Sequence, residues 1–306
     1  MKTLILSLLC GLLLLCSCHN EGRNERLVSH VLVLGIDGLG SHGLEHANTP
    51  NIDQLMKSGA WTLHARSVFP SVSGPAWSSM ITGATVEKHG VVNNGWTAEN
   101  HFLEPVIKGD FEMFPTIFGE TRRHIPEAVI AAFYHWRKLG NFIEKGVCDI
   151  SQAAGNEDSV TMLACKFIHE RKPDLTFVHL DHVDHAGHHD GYRSQKYFEA
   201  IEKTDSLVGI FLDQLKRSGL FEETVVFLVS DHGGLDKGHG GIHPDEMVVP
   251  FLVSGKGIKK DYAIDHPLFI YDLAPTVAML LGFELNGWIS GKPLSNILSS
   301  IQCNRL

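Results

Sequence analysis

The sequence predicts an α/β fold, a mostly parallel central sheet with helices on both faces, in a single domain. Three observations predict it. Several short runs are apolar without alternation, which marks strands buried on both faces. Helical stretches fall between them, the pattern of βαβ units with right-handed crossovers. No internal repeat, low-complexity tract or linker divides the chain.

Taken in order, His30–Ile36 (HVLVLGI) is the first strand and stops at Asp37-Gly38. Similar runs follow at Glu127–Phe133, Asp174–Leu180, Thr224–Ser230 and Val248–Ser254. Between them, Asn51–Ser58 is a short helix, and Ala76–Ile81 becomes helical after the turn at Gly74-Pro75. Pro115–His124 follows a proline start. Glu157–Arg171 takes Asn156 as its N-cap, and Arg193–Ser218 is long and amphipathic. Asp272–Leu281 closes the core, with Gly282 as its stop signal.

Of 306 residues, 43% are hydrophobic and 20% charged, which excludes a disordered or fibrous chain. A net charge of −9 without a basic block leaves no electrostatic footprint for duplex nucleic acid. Met1-Lys2 and the apolar run Leu4–Leu15 form a leader too short to span a bilayer, so residues 1–17 read as an export signal. Leu15-Cys16-Ser17-Cys18 resembles a bacterial lipobox, which makes Cys18 the lipidated first residue of a periplasmic or membrane-anchored lipoprotein; ordinary cleavage nearby is the alternative. The folded domain then runs from about residue 27 to 300. Of the remaining cysteines, Cys148 and Cys165 are either bridged after export or two buried thiols, and Cys303 is left over.

Ligands of parallel α/β sheets bind beyond the carboxyl ends of the strands. Asp37 follows the first strand. Asp181, Asp184, His185 and His188 follow Asp174–Leu180, and Asp231-His232 follow Thr224–Ser230, with His239 and His243 shortly after. Such groups on three strand ends predict a shared metal site, and the lack of cysteine among them favours zinc or manganese. Ser73 falls near a helix start, where backbone N–H groups favour an anion. A serine hydroxyl there is a nucleophile once a base or metal activates it. Ser71 or Ser73 as a simple helix cap is the competing reading.

Asp37, FPSVSGP, TG-x5-HG-x2-NN, D-x2-GH, SDHG and GHGG together resemble the alkaline phosphatase superfamily, in particular its nucleotide pyrophosphatase/phosphodiesterase branch. The resemblance runs from about His30 to Leu281. It implies a hydrolase of phosphoric esters with two zinc ions and an alkoxide nucleophile. Ser73 is the implied nucleophile, with Ser for the family's Thr and Gly74 for its Phe. Asn94 would donate to a phosphoryl oxygen. One zinc would be held by Asp184, His188 and His239, with His243 as the rival to His239. The other would be held by Asp37, Asp231 and His232, with Ser73 completing it. His182, His185 and His189 are assigned to supporting or solvent-exposed positions.

The resemblance further implies a small phosphorylated substrate, a phosphodiester or nucleotide pyrophosphate, and a phospho-serine intermediate. Trp136 would help form a slot for the leaving group, with Trp77 or Trp96 beside it. Arg137 could instead clamp the third oxygen of a phosphomonoester. A sulfatase ranks lower, because Ser73-Gly74-Pro75-Ala76-Trp77 has Trp77 where that family requires arginine. A phosphoglycerate mutase relative is disfavoured by the mere 89 residues between Asn94 and Asp184. A catalytically dead, metal-stabilised binding protein would need neither Ser73 nor Asn94.

Overall fold

A computed structural model describes residues 25–109, 111–285 and 287–300. Its strands are β1 (His30–Ile36), β2 (Gly59–Arg66), β3 (Ile130–Tyr134), β4 (Ile150–Ala153), β5 (Leu175–Leu180), β6 (Thr224–Val229), β7 (Val248–Gly255) and β8 (Tyr262–Ala263). The helices are α1 (Ser41–His46), α2 (Pro50–Ser58), α3 (Ser73–Thr82), α4 (Val86–His89) and α5 (Ile117–His124). They continue with α6 (Glu157–Arg171), α7 (His182–Asp190), α8 (Gln195–Arg217), α9 (Pro244–Met247) and α10 (Leu273–Leu280).

The strands form one sheet in the order β4-β3-β5-β1-β6-β7-β2-β8. β1 lies at its centre, parallel to β5 (Val31 opposite Leu175) and to β6 (Val31 opposite Val225). The expected parallel arrangement holds for most of the sheet. β7 departs from it, running antiparallel to both β6 and β2. Its unbroken apolar run VVPFLVS records burial on both faces, which is independent of strand direction.

Alternate residues of each central strand feed two cores. Val31, Val33, Val225, Phe227 and Val229 pack against α3, α5 and α10, whereas Leu32, Leu34, Ile36, Val226 and Leu228 pack against α2, α6 and α8. Burying each such side chain contributes about 1.5–3 kcal/mol. Three helices start on polar caps: Thr116 accepts from Phe118 N–H, Asn156 from Ser159 N–H, and Ser194 from Tyr197 N–H. Cys148 lines the first core and Cys165 the second, so the sheet separates them and both are free thiols. Burial pushes the Cys165 thiol up to about 12. Among the described residues no helix is long and apolar enough to cross a membrane. The leader, Cys18 and Cys303 lie outside the described residues.

Candidate active site

Because β1, β3, β5 and β6 are parallel, their carboxyl ends open on one edge, and the polar residues following them meet there. Asp37 follows β1, Asp231 and His232 follow β6, and Asp184 and His188 project from α7, which starts directly after β5. His239 arrives from the loop after His232. Two neighbouring donor groups result: Asp184, His188 and His239 form one, and Asp37, Asp184 and His232 the other.

In the first group His188 Nε2 lies 3.4 Å from Asp184 Oδ2 and 3.1 Å from His239 Nε2, while His239 Nε2 is 3.8 Å from Asp184 Oδ1. In the second, His232 Nε2 lies 3.5 Å from Asp37 Oδ1, and Asp231, outside that group, brings Oδ2 to 3.2 Å from the same nitrogen. Tetrahedral ligation with bonds near 2.0–2.1 Å separates ligand atoms by about 3.3 Å. The observed separations bracket that value. Asp37 Oδ1 and Asp231 Oδ2 are buried with no hydrogen-bond partner, a costly state that a cation would relieve. The His232 and His239 rings stack at 3.8 Å, which places the two groups side by side. The donors therefore fit two divalent cations.

Each imidazole is preset. His188 Nδ1–H donates to Lys237 O at 2.9 Å, His232 Nδ1–H to Gly233 O at 2.9 Å, and His239 Nδ1–H to Ser71 O at 2.8 Å. Every Nε2 lone pair is thus turned toward the centre. Burial, followed by the neighbouring His232, keeps His239 below its ordinary pKa and hence neutral, as a ligand must be. Burial pushes Asp37 and Asp231 well above the usual carboxylate range; for Asp37 the Asp231 charge adds to this. Without a cation these acids resist ionisation.

Ser73 is the first residue of α3, which begins three residues earlier than the expected Ala76. Its Oγ lies 3.2 Å from His232 Nε2. Ser71, the alternative, is engaged elsewhere: its hydroxyl donates to Gly241 O and accepts from Gly240 N–H. Asn94 Oδ1 accepts from Gly74 N–H at 2.6 Å, leaving its NH2 group as a donor. A Cβ at residue 74 would stand 2.9 Å from Asn94 Oδ1, so glycine there permits the approach. The HG motif holds this loop, with His89 Nδ1 accepting from Val91 N–H and Nε2–H donating to Ser79 Oγ.

His243 caps α9 by accepting from Asp245 N–H and stands outside both donor groups. Trp136 is half-buried against Phe142 and His179, and Arg137 is exposed at the start of the 3-10 helix Arg137–Phe142. Gly140 and Asn141 of that helix help line a cleft of about 400 Å3 with Thr97 and Lys145. Trp77 and Trp96 are not slot residues. Both are buried, and Trp77 Nε1–H donates to Asp37 Oδ2 at 2.9 Å.

Two supporting residues, His179 and Tyr192, escape sequence reasoning, and a third, Asp181, is marked there only as a strand-end carboxylate. His179 Nε2 also meets Asp37 Oδ2 at 2.9 Å. Asp181 completes a third donor group with Asp37 and His179. The Tyr192 hydroxyl donates to Asp184 Oδ1, and its buried ring fills the space left by Gly187 and Gly234, where a Cβ would meet it at 2.6 and 2.3 Å. Of the first two, only His179 carried a local signal, a polar residue inside an apolar strand.

Carboxylates and imidazoles gathered at the strand ends, beside a helix-borne serine, form a site that could hold metal, in a chain of the alkaline phosphatase superfamily. Within it, the chain belongs to the type I phosphodiesterase / nucleotide pyrophosphatase family, whose model matches residues 31–108 and 113–249. Bis(5'-adenosyl)-triphosphatase ENPP4 of Pongo abelii is 23% identical over 291 residues, covering 92% of this chain and 60% of that protein. ENPP4 of Homo sapiens matches at the same identity and coverage, so the chain spans about three fifths of these relatives. Human ENPP5 shares the fold with a TM-score of 0.75 at 16% identity, covering 89% of this chain and 100% of that one. A 2-O GAG sulfatase shares it at 0.69 and 16%, covering 89% and 74%.

Proposed function

We propose that this protein is an exported two-zinc phosphoesterase that cleaves phosphodiester or nucleotide pyrophosphate bonds through a phospho-Ser73 intermediate. The observation that carries this reading is Ser73 Oγ standing 3.2 Å from His232, at the edge of two donor groups suited to cations. The relatives support a small phosphorylated substrate: ENPP4 is named a bis(5'-adenosyl)-triphosphatase, and an inactive murine ENPP5 was solved in complex with AMP.

Bound by Asp184, His188 and His239 and by Asp37, Asp231 and His232, two zinc ions would activate the serine hydroxyl and neutralise charge on attacking and leaving oxygens. The chain supplies the rest. Ser73 Oγ attacks phosphorus in line, and the Oγ–P bond forms as the P–O bond to the leaving group breaks. Asn94 donates its NH2 to a phosphoryl oxygen, and the start of α3 favours the added negative charge. Water then cleaves the phospho-serine and restores the hydroxyl. Trp136 helps form the slot that receives the leaving group. A sulfatase reading is disfavoured because Trp77, at the position that family gives to arginine, is buried on Asp37.

The deciding measurement is kcat/KM for a bis-aryl against a mono-aryl phosphate at fixed zinc and pH. A ratio above one supports the diesterase. A ratio well below one, reversed by Arg137→Ala, makes the protein a phosphomonoesterase. We also place it outside the cytoplasm, with residues 1–17 removed and Cys18 lipidated. Labelled lipid should tag the wild type and not Cys18→Ala.

A further inference from the structure

The two carboxylate oxygens of Asp37 are used unequally. Oδ1 is buried with no hydrogen-bond partner and lies 3.5 Å from His232 Nε2. Oδ2 accepts two hydrogen bonds, from Trp77 Nε1–H at 2.9 Å and from His179 Nε2–H at 2.9 Å. An ionised carboxylate only accepts, so His179 carries its proton on Nε2, and the indole nitrogen of Trp77 is a donor by nature.

The two donors reach Asp37 from different elements on one face of the sheet. Gly35 and Asp37 alternate along β1 and its end, Phe177 and His179 alternate along β5, and Gly35 stands opposite His179 in the parallel pairing. Trp77 lies over Gly35. A Cβ there would meet the indole ring at 2.6 Å, so glycine opens the space through which Trp77 reaches the carboxylate. The indole packs edge-on against Phe177 and His179, with ring centroids 5.8 and 5.1 Å away. Trp77 also follows Ser73 by four residues on α3, which puts both on one side of that helix. A single helix thus presents Ser73 to the donor groups and Trp77 to Asp37.

Packing alone does not account for His179. All residues of β5 are buried, His179 among them, and its Nδ1 has no hydrogen-bond partner. An unpaired buried polar atom lowers stability, whereas leucine at the same place would leave none. What the histidine contributes is the Nε2–H on Asp37.

We propose that Trp77 and His179 are positioning residues for Asp37. By occupying Oδ2 they hold the carboxylate in one orientation and commit Oδ1 alone to the ion of the Asp37–His232 group. This rests on the reading of that group as a metal site. Partners of this kind orient a ligating carboxylate, and their loss lowers metal affinity.

The test uses full-length protein, stripped of metal and titrated with Co(II) against a competing chelator, with visible absorption as the readout. Trp77→Phe keeps a ring and removes its N–H. His179→Leu removes the other donor at similar volume, and His179→Gln keeps a side-chain NH2 near the place of Nε2. Trp77→Phe and His179→Leu are each expected to weaken one of two bound cobalt ions by about 10- to 100-fold and the other much less. His179→Gln is expected to recover most of that loss, and metal-free His179→Leu to unfold in urea at or above the wild-type midpoint. Wild-type cobalt affinity in His179→Leu overturns the proposal, as does a loss that His179→Gln fails to recover. Should Trp77→Phe fail to fold, the two His179 variants decide. Weakened cobalt in variants of a protein that cleaves no ester upholds the positioning and refutes the proposed function. Unchanged affinity in an enzyme that cleaves a bis-aryl phosphate refutes the positioning alone, and a wild type that binds no cobalt refutes both.

Discussion

Tyr192→Phe isolates one hydrogen bond at the proposed centre. The phenol donates to Asp184 Oδ1 and holds that oxygen while Oδ2 faces His188 at 3.4 Å. Phenylalanine preserves the ring that fills the space beside Gly187 and Gly234, so no cavity forms. What is lost is a hydrogen bond to a charged acceptor, worth about 1.5–3 kcal/mol. At about 1.4 kcal/mol per tenfold, zinc affinity at the Asp184–His188–His239 group should fall roughly 10- to 150-fold. Competition with a chromophoric chelator would show weakened zinc, with the larger loss at the His188–His239 group, because Asp184 also borders the Asp37–His232 group. At saturating zinc, kcat should stay within about threefold, since the phenol meets Asp184 and not Ser73. Equal affinity in variant and wild type would refute the idea that Tyr192 fixes the Asp184 carboxylate.

Ser73→Ala should lower kcat by several orders of magnitude, as a nucleophile does, with unfolding midpoints in urea nearly unchanged. Ser73→Thr should keep substantial activity; if Ser71→Ala is dead and Ser73→Ala active, the nucleophile is Ser71. Chelation should abolish turnover and lower Tm, and zinc should restore both, with stabilisation growing as the logarithm of free zinc. His89 gives the pH test: burial lowers its pKa from 6.5 to about 3, so the unfolded chain takes up a proton that the native state refuses. Stability should therefore fall as pH drops from 6.5 toward about 3, by about 1.4 kcal/mol per unit. In metal-free protein, His89→Gln should remove about that slope from urea unfolding curves; an unchanged slope would show that His89 does not supply it.

The central strands were legible because β1, β5 and β6 are buried on both faces and therefore read as unbroken apolar runs. The same logic left the direction of β7 unread, since burial does not distinguish its neighbours' orientations. β2 escaped because Trp61, Thr62, His64 and Arg66 interrupt it, and its pairing with β7 shifts register between Thr62 and Ala65. α7 has one apolar core residue, Val183, and so shows no helical stripe. Residues placed directly on strand ends, such as Asp37 and Asp231, could be picked out from their position alone. Tyr192 could not, because its partners lie in other elements and no local pattern marks it.

The carbonyls of Ser71, Gly233 and Lys237 aim the three imidazoles of the donor groups, and no side chain takes part. The ring directions are therefore encoded in loop length and backbone path. Of the side chains along 233–241, His239 and the close-packed glycines are fixed by what they hold and touch, while the ring directions themselves depend on the chain's course, which an inserted residue would shift. The same device separates folding from loading: the rings are aimed by peptide groups already present in the metal-free chain, so the ion arrives at a finished receptacle. Metal exchange in this protein is then a matter of ligand affinity and access, not of refolding.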